Sequence, residues 1–202
     1  LRPIRGKALR YRTVDGVRPA PLRFLPYADV RKQTHATYFD LLTEDDWRKE
    51  QARIRAEAAA QRELRRRTVD EVRVAEMQPE RDPSFAGEQV QVGEHQGRKW
   101  RHAVGGGWFS YRVKVLDGQP LELVCTYWGS DAGRTFDLQV DGQLLATQEL
   151  KNDAPGRFFD VAYPLPAALT KGKTEVEIRF QAKPGNIAGG LYGLRVVKPA
   201  KN

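Results

Sequence analysis

The sequence has a single cysteine, Cys125, which excludes an internal disulfide and a metal site built from thiolates. It has no apolar run near the roughly 20 residues that a helix needs to cross a bilayer, so we expect no membrane partner. Only three histidines occur, and none is close to Cys125 in the sequence, so nothing indicates an activated thiol. We therefore expect Cys125 to be a small buried side chain in a strand.

Common motifs of catalysis and cofactor binding are also missing. The three glycines at 105–107 precede a strand pattern and not a helix, so they do not form a phosphate-binding loop. There is no nucleophile elbow and no zinc-ligand spacing, and we expect no cofactor. A structural calcium ion stays open as an alternative, although no loop has the dense acidic spacing of a dedicated site. Its oxygen ligands would come from Asp131, Asp137, Asp141 and Asp160.

The formal charge of +8 raises the question of nucleic-acid binding. Residues 48–67 hold eight Arg or Lys against three Glu, so a net +5 lies in one segment. Nucleic-acid modules normally add aromatic residues or a recognisable fold to their charge, and this segment has only Trp47 beside it. We interpret the basic excess as the solvated face of a helix and expect no nucleic-acid partner.

Three segments of the chain differ in pattern. Residues 1–42 contain short alternating stretches and four prolines, which are typical of edge strands. We expect them to complete an upstream β-sandwich, with the chain excised from a longer polypeptide. Residues 43–67 predict a linker helix that is long and polar, with Thr43 as N-cap and acidic residues in its first turn. Residues 68–202 predict a jelly-roll, galactose-binding-like β-sandwich domain, so the fold class is mainly β.

The prediction of a sandwich depends on a series of short alternating segments without a helix between them. The clearest turn, Asp141-Gly142, predicts a hairpin. The stretch 105–129 is likewise interpreted as a hairpin, turned at Asp117-Gly118. The predicted strands are 88–93, 98–103, 107–116, 120–128, 134–141, 144–150, 157–163, 173–182 and 190–198.

Six side chains are candidates for a carbohydrate-binding site. Aromatic rings pack on the C–H faces of sugars, while a carboxylate and a guanidinium bind sugar hydroxyls. The alternative is that the tryptophans cover the ends of the sandwich or pack against the helix and the amino-terminal strands. The candidates are Trp100, Trp108, Trp128, Asp131, Arg134 and Tyr192.

Several separated motifs occur in one order along the chain, and together they resemble a known family. The similarity is to the carboxy-terminal region of glycoside hydrolase family 127-like proteins, the β-L-arabinofuranosidase group. The motifs are Gly-Arg-Lys-Trp-Arg (97–101), Gly-Gly-Trp-Phe-Ser-Tyr (106–111), Leu-Val-Cys-Thr-Tyr-Trp-Gly-Ser-Asp (123–131), Phe-Asp-Leu-Gln-Val-Asp-Gly (136–142), Pro-Gly-Arg-Phe-Phe-Asp-Val (155–161) and Ala-Gly-Gly-Leu-Tyr-Gly-Leu-Arg (188–195).

The resemblance implies a non-catalytic accessory part of a bacterial glycoside hydrolase, in the periplasm or outside the cell. Family members place a cysteine nucleophile, a Glu and a zinc ion held largely by cysteines on an α/α barrel. No position of this chain matches that set, so we assign no catalytic residue. We expect the chain to pack on, or orient, a catalytic barrel of the same polypeptide. The alternative is an independent carbohydrate-binding module that binds plant-wall oligosaccharides through exposed tryptophans.

The helix segment leaves a third alternative, assembly of several copies. Its apolar stripe is narrow and could lie along a neighbouring chain; it consists of Trp47, Ile54, Ala58 and Leu64. Assembly through this stripe predicts a mass that rises with protein concentration in analytical ultracentrifugation. A monomer at every concentration would remove this alternative.

Overall fold

The computed structural model describes residues 2–3, 11–12, 23–24, 43–76 and 84–200. The chain divides into two compact units, Leu1–Gln51 and Ala52–Asn202. In the first unit three short strands form an antiparallel sheet in the order β1–β2–β3: β1 (Arg2–Pro3), β2 (Tyr11–Arg12) and β3 (Arg23–Phe24). Most of the predicted edge-strand region lies outside the described residues. The predicted domain limits 1–42, 43–67 and 68–202 stay predictions.

The long helix α1 (Glu44–Arg67) is confirmed where the sequence predicts it. The Asp46 N–H donates to the Thr43 hydroxyl at 3.2 Å, which makes Thr43 the N-cap. No residue of α1 is buried, so helix propensity, capping and ion pairs such as Arg53 with Glu57 at 2.6 Å stabilise it. Among the described residues no helix has both the length and the apolar character needed to cross a membrane.

The second unit is a mainly β jelly-roll sandwich, as the sequence predicts. In its described part nine antiparallel strands form one sheet in the order β10-β7-β12-β6-β11-β8-β9, with β4 paired to β12 and β5 paired to β6. The elements are β4 (Thr68–Val72), β5 (Ala86–His95), β6 (Arg98–Lys114), β7 (Leu121–Trp128), β8 (Ala132–Val140), β9 (Gln143–Lys151), β10 (Phe158–Leu165), the short helix α2 (Ala167–Thr170), β11 (Glu175–Ala182) and β12 (Ala188–Val197).

The core lies between two layers of this folded sheet, one with β7, β10 and β12 and the other with β8, β9 and β11. Phe109 stacks on Phe180 with ring centroids 4.8 Å apart, and Tyr127 meets Phe136 across the layers at 6.0 Å. Cys125 is fully buried in this core, which confirms its predicted place, and burial raises the pKa of its thiol. At ~1.5 to 3 kcal/mol for each buried large apolar side chain, such a core stabilises the fold without a disulfide.

The hairpin predicted for residues 105–129 is wrong. Strand β6 pairs with β5, β11 and β12, whereas β7 pairs with β10 and β12. Residues 115–120 therefore connect two strands that do not pair with each other. The Asp117 carboxylate accepts a hydrogen bond from the Gly172 N–H, so the turn is held by the connection after α2.

Two glycine turns show how local conformation shapes the strands. Asp141 and Gly142 have φ angles of 47° and 81°, which are those of a type I′ turn, and the predicted hairpin of β8 and β9 is confirmed. Gly105 and Gly106 also have positive φ, yet β6 continues through them. The segments 98–103 and 107–116 predicted as two strands are thus parts of one bent strand.

Strand β12 changes its neighbour along one edge. Residues 188–191 pair with β6, and residues 194–197 pair with β4. On its other edge β12 pairs with β7, and the register shifts between Leu191 and Gly193, so Tyr192 lies at a β-bulge. A gap therefore opens between β4 and β6 beside Tyr192.

We expect Gly129→Ala to destabilise the second unit by about 3 kcal/mol, because a Cβ there would overlap the Ala154 carbonyl oxygen. Gly129 also exchanges backbone hydrogen bonds with Arg157 and Ala154, so it has no room to move away. Urea unfolding followed by circular dichroism measures the change. Gly133→Ala is the control: Gly133 has open space around it and a φ of +68°, so its cost is about 1 kcal/mol. Equal losses in both variants would contradict the close packing at Gly129.

Candidate functional site

A groove of about 600 Å³ opens at the gap beside Tyr192, and its volume is that of an ordinary small-molecule site. Outward side chains of β7, β10 and β12 line it. Three further groups complete the lining: residues at and after the end of β4, Gln61 of α1, and residues 97–99 at the turn between β5 and β6. The groove thus lies on the opposite face of the sheet from the core.

Aromatic rings form a connected cluster at the groove. Phe158 meets Tyr192 edge-on with centroids 4.8 Å apart, and it meets Trp128 edge-on at 4.9 Å. The ring of His95 packs on Trp128 at 4.6 Å, and the guanidinium carbon of Arg98 lies 4.5 Å from the centroid of Phe158. Edge-to-face and cation–π contacts of this kind are favourable and fix the rings against one another. Phe158 and Tyr192 line the groove, and Trp128 and His95 support Phe158 from beside it.

Polar side chains surround these rings, and several are held by partners within the protein. This arrangement gives the groove hydrogen-bonding groups in fixed positions. The contacts are Arg195 with Glu71 at 2.7 Å, Arg73 with Glu76 at 3.7 Å, and the Thr126 hydroxyl donating to Asp160 at 2.6 Å.

Asp131 and Arg134 lie next to the aromatic cluster but bind each other and the backbone. Arg134 Nη2 donates to Asp131 Oδ1 at 2.9 Å, and Nη1 donates to the Gly189 carbonyl at 3.3 Å. A Cβ at Gly190 would overlap both side chains, so glycine is needed where β12 passes the pair. The pair therefore fixes the start of β12 to the connection between β7 and β8.

Burial affects the ionisation of two groups near the groove. It raises the pKa of the Asp131 carboxyl, while the positive charges of Arg134 and His95 act in the opposite direction. It also raises the pKa of the Tyr192 phenol, and the negative charge of Asp131 adds to that rise. Tyr192 is therefore a neutral hydroxyl at physiological pH and can both donate and accept a hydrogen bond.

Trp100 and Trp108 do not line the groove. Trp100 packs on His102 with centroids 4.6 Å apart and lies over the backbone at Gly93, where a Cβ would overlap its ring. The guanidinium of Arg179 covers one face of Trp108 at 3.8 Å. Of the six candidates Tyr192 alone lines the groove. Trp128 and Tyr192 both contact Phe158, and the Asp131–Arg134 pair lies close enough to Tyr192 to act on its phenol.

Phe158 is not among the residues predicted from the sequence, although the sequence contains a signal for it. Successive residues of a strand face opposite sides of the sheet, so the pair Phe158 and Phe159 must direct one ring outward. Phe159 contacts the core ring of Tyr127 at 6.1 Å, and Phe158 is the outward ring. Arg98 was missed as well, because its contact with Phe158 depends on pairing between distant strands.

The aspartates considered as calcium ligands are spread over the sandwich. The Asp137 carboxylate accepts from Thr147 and pairs with Lys183, and the Asp141 carboxylate pairs with Lys173 at 2.7 Å. In the part of the chain that the structure describes, no three His, Cys, Asp or Glu side chains group as metal ligands do. The calcium alternative stays a prediction.

Comparison with known proteins gives one family and several distant structural likenesses. The family model of DUF6805, described as a family of unknown function, matches residues 63–197. A search of curated proteins finds no match.

Three solved structures illustrate the likeness. A family 35 carbohydrate binding module from Clostridium thermocellum is 14% identical, with a TM-score of 0.43 over 58% of this chain and 95% of that chain. The C-terminal CBM6 of the marine laminarinase LamC from Zobellia galactanivorans is 14% identical, with a TM-score of 0.45 over 58% and 95%. An exo-beta-1,3-galactanase from Phanerochaete chrysosporium with beta-1,3-galactotriose is 15% identical, with a TM-score of 0.45 over 57% and 28%. With TM-scores below 0.5, these likenesses decide nothing about this chain.

We expect Arg134→Gln to raise the pKa of Asp131 further, because it removes the charge that offsets burial. When the pKa of a carboxyl is higher in the folded state than in the unfolded state, the folded state binds more protons between the two pKa values. The free energy of unfolding therefore falls as the pH rises through that range. The variant should therefore lose about 1 to 3 kcal/mol of unfolding free energy at pH 7 and clearly less at pH 4. Urea unfolding at both pH values measures this.

The double variant Arg134→Gln with Asp131→Asn is the control for this measurement. Removing the uncompensated carboxylate should recover part of the stability at pH 7. An equal loss for Arg134→Gln at pH 4 and pH 7 would show that Asp131 does not depend on the arginine charge.

Proposed function

The chain belongs to the DUF6805 family, whose function is unknown, and from its groove we propose that it is a non-catalytic, carbohydrate-binding accessory region of a glycoside hydrolase. The observation that carries this proposal is the groove itself. Aromatic residues of β10 and β12 line it among hydroxyl, carboxylate and guanidinium groups. The distant structural likenesses to carbohydrate binding modules carry no part of the proposal.

The groove offers the two kinds of contact that a sugar needs. The rings of Phe158 and Tyr192 provide apolar surface for the C–H groups of a sugar ring. The Tyr192 hydroxyl, Asp160 and Arg98 provide acceptors and donors for sugar hydroxyls around those rings. A ligand with an apolar face and a polar rim, such as a pyranose, fits this combination of aromatic surface and surrounding polar groups best.

The carboxylates of the groove favour binding over hydrolysis. A glycosidase normally needs two carboxyl groups on either side of one bond, one of them available as an acid or a nucleophile. Glu71 and Glu76 are each paired with an arginine, and Asp160 accepts the hydrogen bond of Thr126. All three are thus engaged in holding the lining.

Four of the six motifs that resemble the family 127-like proteins contribute lining residues to this groove. They are 97–101, 123–131, 155–161 and 188–195. This convergence supports the finer proposal that the chain is the carboxy-terminal region of a β-L-arabinofuranosidase-like hydrolase. In that protein the chain would pack on, or orient, a catalytic α/α barrel and hold plant-wall oligosaccharide near it.

An independent carbohydrate-binding module is the second candidate. Trp128 favours it, because this partly exposed ring extends the aromatic cluster beside the groove. The two candidates share the same sugar contacts and differ in whether a catalytic barrel is attached.

We expect titration with plant-wall oligosaccharides to show binding by calorimetry and by a change in tryptophan fluorescence. Tyr192→Ala should weaken that binding about tenfold, because a ring contact and a hydroxyl are lost together. Trp108→Phe is the matched control, since Arg179 covers this ring away from the groove, and it should retain the affinity. No response to any sugar, or equal affinity of Tyr192→Ala and the unchanged chain, would contradict the proposal.

The purified chain should not hydrolyse aryl arabinofuranosides. Release of the chromogenic aglycone is followed by absorbance, with the buffer as the blank. Turnover by the chain above that blank would contradict a non-catalytic role.

A further inference from the structure

Arg98 is a cation at the groove without a counter-ion in the part of the chain that the structure describes. It opens β6 directly after the turn at Gln96 and Gly97, and it is exposed. Its guanidinium contacts the ring of Phe158, and no described carboxylate forms an ion pair with it. Lys99, the next residue, also lines the groove and likewise has no ion pair with a described carboxylate.

The other two arginines of the groove have ion-pair partners within the protein. Arg195 pairs with Glu71 and Arg73 pairs with Glu76, whereas Asp160 accepts a hydrogen bond from the neutral Thr126 hydroxyl, which is not a counter-ion. The uncompensated positive charge is therefore concentrated at residues 98–99, on one side of the groove. A ligand with a negative group at this end of the groove would supply a counter-charge to residues 98–99.

The geometry of Arg98 suits a carboxylate. Its contact with Phe158 holds the guanidinium over one face of a ring that lines the groove next to Tyr192. A guanidinium held by its face keeps its N–H edge available, and that edge binds a carboxylate through two parallel hydrogen bonds. A sugar whose ring lies near Phe158 would thus place its carboxylate close to the Arg98 guanidinium.

Resting on the proposed function, we infer that the groove selects acidic sugars, namely oligosaccharides with a uronate residue whose carboxylate binds Arg98. Lys99 adds positive potential at the same end without a specific contact. The neutral part of the ligand is bound by Phe158 and Tyr192, as proposed above.

Two ligands with the same sugar rings, one with carboxylate charges and one without, test this inference. Calorimetry at low salt compares trigalacturonic acid with its methyl ester, which has the same rings and no carboxylate charge. We expect the acid to bind about tenfold more tightly, the value for one charge-assisted contact, and we expect added salt to reduce the ratio. In Arg98→Gln the ratio of acid affinity to ester affinity should fall toward one.

Lys171→Gln is the matched control, because it removes the same charge from an exposed turn away from the groove, and it should leave the ratio unchanged. Equal affinity of the unchanged chain for acid and ester would overturn the inference while the proposed function stands. An Arg98→Gln ratio equal to that of Lys171→Gln would overturn the role of Arg98. Absence of binding by both ligands and by neutral oligosaccharides would overturn the proposed function as well. The comparison of ligands and salt on the unchanged chain does not depend on any variant folding.

Discussion

An interior strand must find hydrogen-bonding partners on both edges, and β12 meets this requirement with two different strands on one of them. It pairs with β6 over residues 188–191 and with β4 over residues 194–197. The change of partner leaves a gap, and the bulge at Tyr192 lies at that gap. The groove lies at this change of partner, because its lining includes the end of β4, the start of β6 and Tyr192.

The same strands that build the core also hold the groove. In each of β7, β10 and β12 an outward aromatic residue is the neighbour of an inward residue, because side chains alternate along a strand. Inside lie Tyr127, Phe159 and Leu191, and outside lie Trp128, Phe158 and Tyr192. The packed core fixes the backbone under these rings, and the edge-to-face contacts among the rings restrain their rotation. The rings are therefore preorganised, and ordering them on binding costs little.

Patterns local in the sequence predicted the local structure well. The cap at Thr43, the type I′ turn at Asp141 and the buried Cys125 depend on neighbouring residues or on burial alone. Strand partners were harder, because a period of two identifies a strand without identifying what it pairs with. The hairpin assigned to 105–129 failed for this reason. The groove could not be predicted from the sequence, because it depends on the pairing of β4 with β12, and these strands lie more than 100 residues apart.

The central claim is that sugar binds where β12 changes its partner. Amide chemical shifts of the ¹⁵N-labelled chain, recorded with and without acidic plant-wall oligosaccharide, test it most directly. We expect the largest changes at residues 97–99, 158–160 and 192–193. Changes confined to the opposite layer, around Trp108 and Arg179, or no changes at saturating sugar, would contradict it.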